Sequence, residues 1–254
     1  MSLFVVILTF LLLAAGFTWY MITRDHGEHE PVTALWIAFG LGVGGLVIAG
    51  TLEYLLLPNI VNVGYPLPKV AWISLGIGII EELAKCLPLI AYIYHKRYFN
   101  EHTDGVMYFA LAGLGFGLPE NVLYTFQYGA DTGVGRLLMT PFFHAATTAL
   151  IGYAVIRVKL DGRSVRTIGT AIAGVILVHT LYDFGLFSGI SILALMSAMI
   201  TLALSGGVFV LFLHARGQDQ VVGLSAVGHN SFCRSCGHPN PKHNLYCSQC
   251  GKRA

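Results

Sequence analysis

Seven apolar stretches, each close to the ~20 residues an α-helix needs to cross a hydrocarbon core, constrain this chain more than anything else in it. They fall at 3–22, 32–57, 69–94, 104–126, 136–158, 168–187 and 190–213. Inside a bilayer every backbone N–H and C=O must be satisfied within the segment, so such stretches fold as helices. Composition agrees: 55% of the 254 residues are hydrophobic, 11% are charged and mean hydropathy is +0.68, too little charge to cover a soluble surface. The fold class is therefore an all-α polytopic membrane protein of about seven transmembrane helices over residues 1–214. The first stretch lacks a basic start and is followed at once by the second, so it reads as a retained anchor, not a cleaved signal. A net charge of +2 carries no nucleic-acid footprint.

The sparse charges predict topology. Arg24, Lys96, Arg97, Arg157, Lys159, Arg163, Arg166 and Arg216 all fall on one side of seven spans. The other side has Lys69 and Arg136. By the positive-inside rule the N-terminus lies outside and the C-terminal tail in the cytoplasm of a bacterial cell membrane.

The tail reads as a separate unit. Residues 215–230 are polar, contain glycine and show no hydrophobic period, which predicts a linker. Residues 231–254 carry Cys233-Arg-Ser-Cys236-Gly and Cys247-Ser-Gln-Cys250-Gly. Two C-x-x-C-G knuckles offer four thiolates in the arrangement that structural Zn²⁺ takes, and a cytoplasmic location disfavours disulfides. A closed site of four cysteines has no open position, so this zinc ribbon is expected to have a structural or recruiting role, with a cytoplasmic regulator as its partner. Cys86, inside a span, is expected to be a buried apolar residue.

Polar groups inside the spans point to chemistry, because each carboxylate at that depth costs roughly 2.5–3.5 kcal/mol even on the lenient scale. The third span carries Glu81, Glu82 and Lys85. Glu81 and Lys85, four apart, share a helix face and pair, whereas Glu82 is turned about 100° away and is expected to face a neighbouring helix unpaired. The fourth span carries Glu120 and Asn121 after a Gly- and Pro-containing stretch, the fifth His144, and the sixth His179 and Asp183 on one face. Counting helical rise, these groups meet between the bilayer centre and its outer third. Glu53, near the end of the second span, has no motif and reads as an interhelical or interfacial group.

Taken in order, Glu81-Glu82-x-x-Lys85, Phe116-x-x-x-Glu120-Asn121, His144 and His179-x-x-x-Asp183 resemble the motifs of the PrsW family of membrane proteases. That family is grouped with CAAX prenyl endopeptidases and bacteriocin-processing proteins. The resemblance spans residues 30 to 190 and leaves out the tail. It implies an intramembrane endopeptidase whose partner is a membrane-anchored protein, such as a single-span anti-sigma factor given its first cut near the extracytoplasmic face. It also implies catalytic roles for Glu81, Glu82, Lys85, Glu120, Asn121, His144, His179 and Asp183.

Two mechanisms fit these residues. In the favoured one Glu81 is a general base for water, Lys85 and Glu82 set its state, and a histidine stabilises the developing oxyanion. In the other, two histidines and a carboxylate hold a catalytic metal. The sequence departs from the CAAX pattern where Glu120 replaces a histidine and Asp183 an asparagine. A midplane polar cluster also fits a transporter or a catalytically silent immunity protein.

Overall fold

The structure, a computed structural model, describes residues 3–24, 30–58, 65–136, 140–228, 231–232 and 239–240. Its helices are α1 (Leu3–Arg24), α2 (Val32–Leu56), α3 (Leu67–Ile93), α4 (His102–Tyr128), the short α5 (Ala130–Arg136), α6 (Thr140–Leu160), α7 (Arg166–Phe187) and α8 (Ser191–Gly228). Each of the seven apolar stretches corresponds to a long helix over most of its length. Six of those helices are long and apolar enough to cross a membrane. The seventh, α3, has the length, at 27 residues, but carries Lys69, Glu81, Glu82 and Lys85.

The bundle is arranged around α4. Every residue from His102 to Leu118 on that helix is buried, and α6 and α2 are its main partners. Glycines permit the close approach. A Cβ on Gly42 would strike the Ala112 carbonyl, and one on Gly115 would strike that of Phe39, which locks α2 to α4. A Cβ on Gly113 would strike the His144 carbonyl, and one on Gly152 that of Gly105, which locks α6 to α4. Small residues at the contacts are the usual basis of helix packing in lipid, where the hydrophobic effect gives little drive. The large apolar side chains Trp36, Val47, Tyr54, Trp72 and Leu177 face outward, toward where lipid would lie.

Two expectations need correction. The fifth stretch was expected to begin at residue 136, but Arg136 ends the separate turn-length helix α5, and α6 starts at Thr140. Residues 215–228, expected to be linker, continue α8 as helix. The reason is tertiary: the α8 extension makes polar contacts that no hydrophobic period announces. Asp219 Oδ1 accepts from the His102 N–H at 2.7 Å, and Oδ2 accepts from the N–H and hydroxyl of Thr103 at 2.9 and 3.0 Å. Asp219 thereby satisfies two of the orphan donors at the start of α4. His102 lies between Asp219 and Asp161, at 2.8 and 2.9 Å from its two ring nitrogens.

In the tail, Ser231–Phe232 pairs antiparallel with Pro239–Asn240, so the chain is all-α except for this two-stranded ladder among the described residues. Cys233, Cys236, Cys247 and Cys250 lie outside the described residues.

Candidate active site

The site forms where α3, α4, α6 and α7 converge, with α2 and α5 closing its rim. Lys85 is fully buried, and its three N–H bonds all have acceptors. They reach Glu81 Oε2 at 3.0 Å, Glu82 Oε1 at 2.9 Å and His144 Nδ1 at 2.7 Å. The Phe116 ring lies 4.2 Å beneath the ammonium. Glu82 is therefore not unpaired, contrary to the helical-wheel expectation. The long lysine side chain spans the 100° between the two carboxylates, which rigid angular counting ignores.

Each histidine is anchored by a carboxylate on one nitrogen. His179 Nδ1 lies 2.6 Å from Glu82 Oε1, which the Thr147 hydroxyl also approaches at 3.4 Å. His144 Nε2 lies 2.7 Å from Glu120 Oε2. The opposite nitrogens converge on Glu81. His179 Nε2 is 3.6 Å and His144 Nδ1 3.9 Å from Glu81 Oε2. His179 Nε2 is also 3.4 Å from Asp183 Oδ2, a buried oxygen without a hydrogen-bond partner among the described residues. Phe143 stacks on Tyr182 with centroids 4.3 Å apart and lies edge-on to the His179 ring, fixing it sterically.

Glu120 pairs with His144 and Arg136, not with Lys85. Arg136 donates from Nη2 to Glu120 Oε1 and from Nε to Asn121 Oδ1, both at 2.9 Å. Asn121 in turn donates from Nδ2 to the Gly117 carbonyl at 2.5 Å, which holds its amide in one orientation. All eight residues named from the sequence motifs thus lie in one connected network.

A small cavity opens beside the network, bordered by Glu81, Glu120, His144, His179 and Asp183 and by Tyr124, Thr140 and Tyr182. Its volume of about 30 Å³ exceeds the ~10–15 Å³ that one water requires. Two further lining residues, Arg136 and Glu53, had no site role in the sequence reading. Glu53 Oε1 is shut from solvent and has no partner among the described residues. The only sequence signal for either was a charge near the end of an apolar stretch, which interfacial residues also give.

The donor set suits a metal ion. Glu81, His144 and His179 each offer a ligand atom, all within 4.8 Å of one another. A carboxylate holding the far nitrogen of each imidazole is the usual outer shell of a histidine metal site. One carboxylate and two imidazoles match catalytic zinc, which keeps a further position open. The fit has one condition: Lys85 occupies His144 Nδ1 in this arrangement and must release it for that nitrogen to act as a ligand.

Comparison with known proteins agrees. The chain is similar to Protease PrsW of Bacillus subtilis (strain 168), 29% identical over 167 residues, covering 65% of this chain and 75% of that protein. It is also similar to Protease PrsW of Clostridioides difficile (strain 630), 28% identical over 170 residues, covering 64% of this chain and 71% of that protein. No solved structure gives a significant match. The family model described as PrsW family intramembrane metalloprotease matches residues 30–213, which take in every helix of the site, and the chain belongs to that family.

Proposed function

We propose that this multi-pass membrane protease cuts a membrane-anchored protein near the extracytoplasmic face, and that the cut is metal-dependent. One observation carries the metal-dependent reading over the metal-free one favoured from sequence. Both imidazoles are anchored by carboxylates on their far nitrogens, so both near nitrogens lie at 3.6 and 3.9 Å from Glu81 Oε2, that of His144 with Lys85 as its hydrogen-bond partner. That is the setting of a ligand. A base acting alone needs no second imidazole at its carboxylate.

Glu81, His144 and His179 would hold the ion, which supplies Lewis-acid polarisation and a water acidic enough to attack at neutral pH. The remaining work belongs to the chain. Glu82 and Glu120 fix the rotation and tautomer of the two imidazoles. Lys85 balances the charge of the buried glutamates and keeps them from repelling each other. Asp183 Oδ2, next to the cavity with its lone pairs uncommitted, accepts the proton of the attacking water and returns it to the departing amine.

The positive-inside distribution supports an outside N-terminus, a cytoplasmic tail and a cavity on the outer side. On that side lie the end of α2, the start of α3, the end of α4 and the end of α7. A single-span anti-sigma factor cut on its outer flank fits that placement. The four tail cysteines support a structural Zn²⁺ ribbon that recruits a cytoplasmic regulator, and the ordered motifs support kinship with CAAX endopeptidases.

The test is cleavage of a panel of single-span membrane proteins, anti-sigma factors included, by the protein in lipid. It is run with and without chelation, in a Cys233→Ser/Cys236→Ser background that removes the tail's metal. Products that vanish on chelation and return with Zn²⁺ are expected. Undiminished cleavage after chelation would return Glu81 to the role of a metal-free base.

A further inference from the structure

Hydrolysis needs a donor for the carbonyl oxygen as well as an activated water. The favoured sequence reading gave that task to a histidine. Both candidates are already engaged: His144 by Lys85 and Glu120, and His179 by Glu82 on Nδ1, with two carboxylate oxygens facing its Nε2 at 3.4 and 3.6 Å. Asp183 is an acceptor. The hydroxyls of Thr140 and Tyr182 face each other at 3.4 Å. Among the described residues lining the cavity, Arg136 is the one side chain with a permanent positive charge.

Its guanidinium is held on three sides. Nε and Nη2 are fixed to Asn121 and Glu120, and the Tyr124 ring lies 4.0 Å beneath the guanidinium carbon. Of the five N–H bonds of arginine, two are used in these contacts, and no other hydrogen bond from the Arg136 side chain exists among the described residues. A rigid cation with spare donors at the edge of a water-sized cavity is a preorganised site for developing negative charge.

We propose that Arg136 is a further catalytic residue, its anchored guanidinium donating to the oxygen of the scissile carbonyl as that oxygen becomes negative. In the addition step the water oxygen bonds to the carbonyl carbon, the π pair moves onto the carbonyl oxygen beside Arg136, and the water proton passes to Asp183. In the collapse step the carbonyl re-forms, the C–N bond breaks and the nitrogen takes that proton, leaving a carboxylic acid and an amine. Glu120 then has a second duty beyond the His144 imidazole: together with Asn121 it aims Arg136. The inference rests on the proteolytic reading but not on the metal, because the oxyanion needs a donor in either mechanism.

The experiment compares wild type with Arg136→Met, Arg136→Lys and Tyr124→Phe, all full-length in lipid and in the Cys233→Ser/Cys236→Ser background. It measures kcat and KM on a doubly tagged single-span anti-sigma factor, and Co²⁺ affinity from the visible spectrum. Loss of an oxyanion donor lowers kcat by about 100- to 1000-fold, so that fall is expected for Arg136→Met, with KM and Co²⁺ affinity both within about threefold. Arg136→Lys keeps the charge but not the fork to Glu120 and Asn121, and its kcat is expected to lie between the two. Tyr124→Phe keeps the ring beneath the guanidinium and removes only a second cavity-lining hydroxyl, so a loss of kcat larger than that of Arg136→Met would assign the donor to Tyr124 and overturn the proposal. A kcat for Arg136→Met within fivefold of wild type overturns the proposal. So does a Co²⁺ affinity that falls in step with kcat, which would make Arg136 a positioning residue for His144. Absent Co²⁺ binding by wild type would instead refute the metal reading and leave the Arg136 comparison intact.

Discussion

Glu82 Oε1 accepts from Lys85 Nζ at 2.9 Å and lies 2.6 Å from His179 Nδ1, so one buried oxygen joins the charge balance of α3 to the orientation of a histidine on α7. Two demands meet at that atom. Replacing Glu82 by Gln leaves a neutral group beside a buried ammonium and frees the imidazole to rotate. Outer-shell losses of this kind cost about 10- to 100-fold in metal affinity. Titrating Zn²⁺ into full-length Glu82→Gln protein in the Cys233→Ser/Cys236→Ser background checks this; wild-type affinity would mean that packing by Phe143 alone orients His179.

Lys85→Met should destabilise the metal-free protein most. Breaking a buried pair by removing one partner costs about 3–5 kcal/mol, because the other charge remains. Here two carboxylates are left. A bound cation supplies part of the missing charge, so the gap from wild type in thermal unfolding should narrow when Zn²⁺ is present. An equal gap with and without the ion would show that Lys85 and the metal do not share the same acceptors.

Close packing behind the site predicts a contrast between two glycines. A Cβ at Gly113 lands on the His144 backbone, whereas one at Gly44 meets nothing within 4 Å. Gly113→Ala forces α4 and α6 apart, at a cost of about 1–3 kcal/mol for overpacking, and shifts His144. Gly44→Ala should leave unfolding and proteolysis near wild type. Similar midpoints for the two variants would contradict the α4–α6 contact.

At the far end of the bundle, Asp161 lies outside the membrane-spanning helices, where burial tends to raise its pKa. Hydrogen bonds from Arg157 and His102 outweigh that and hold its carboxyl below the ordinary 3.8. A depressed native pKa contributes stability above the unfolded value and loses it as pH falls through the native one. The effect is therefore confined to the region below about pH 4 and, at so exposed a group, to less than about 1 kcal/mol. Between pH 6 and pH 3 the thermal midpoint of wild type should fall slightly more than that of Asp161→Asn; a parallel decline would show that the contact carries no net stability.

How much of this was legible beforehand depends on the kind of signal. The seven apolar stretches gave the helices to within a few residues, except at the lip of α6 and along the α8 extension. The second has a polar cause. Asp219 caps α4 from more than a hundred residues away, and a periodicity scan sees neither partner of such a contact. Glu53 and Arg136 were visible as charges near span ends, and nothing local separates an interfacial charge from one that borders a cavity.

The sequence by itself determined that this chain is a helical membrane protein and that its polar residues gather at one depth. Period and spacing carry that information, and the cost of burying charge in lipid makes it readable. Only the tertiary structure decided which atoms meet: that Lys85 serves both glutamates, that Glu82 and Glu120 each take one nitrogen of a histidine, and that Arg136 completes the cavity from a separate turn. Those outcomes depend on side-chain rotamers and on how helices rotate against one another. Both are set by glycine contacts and ring packing between segments far apart in the chain.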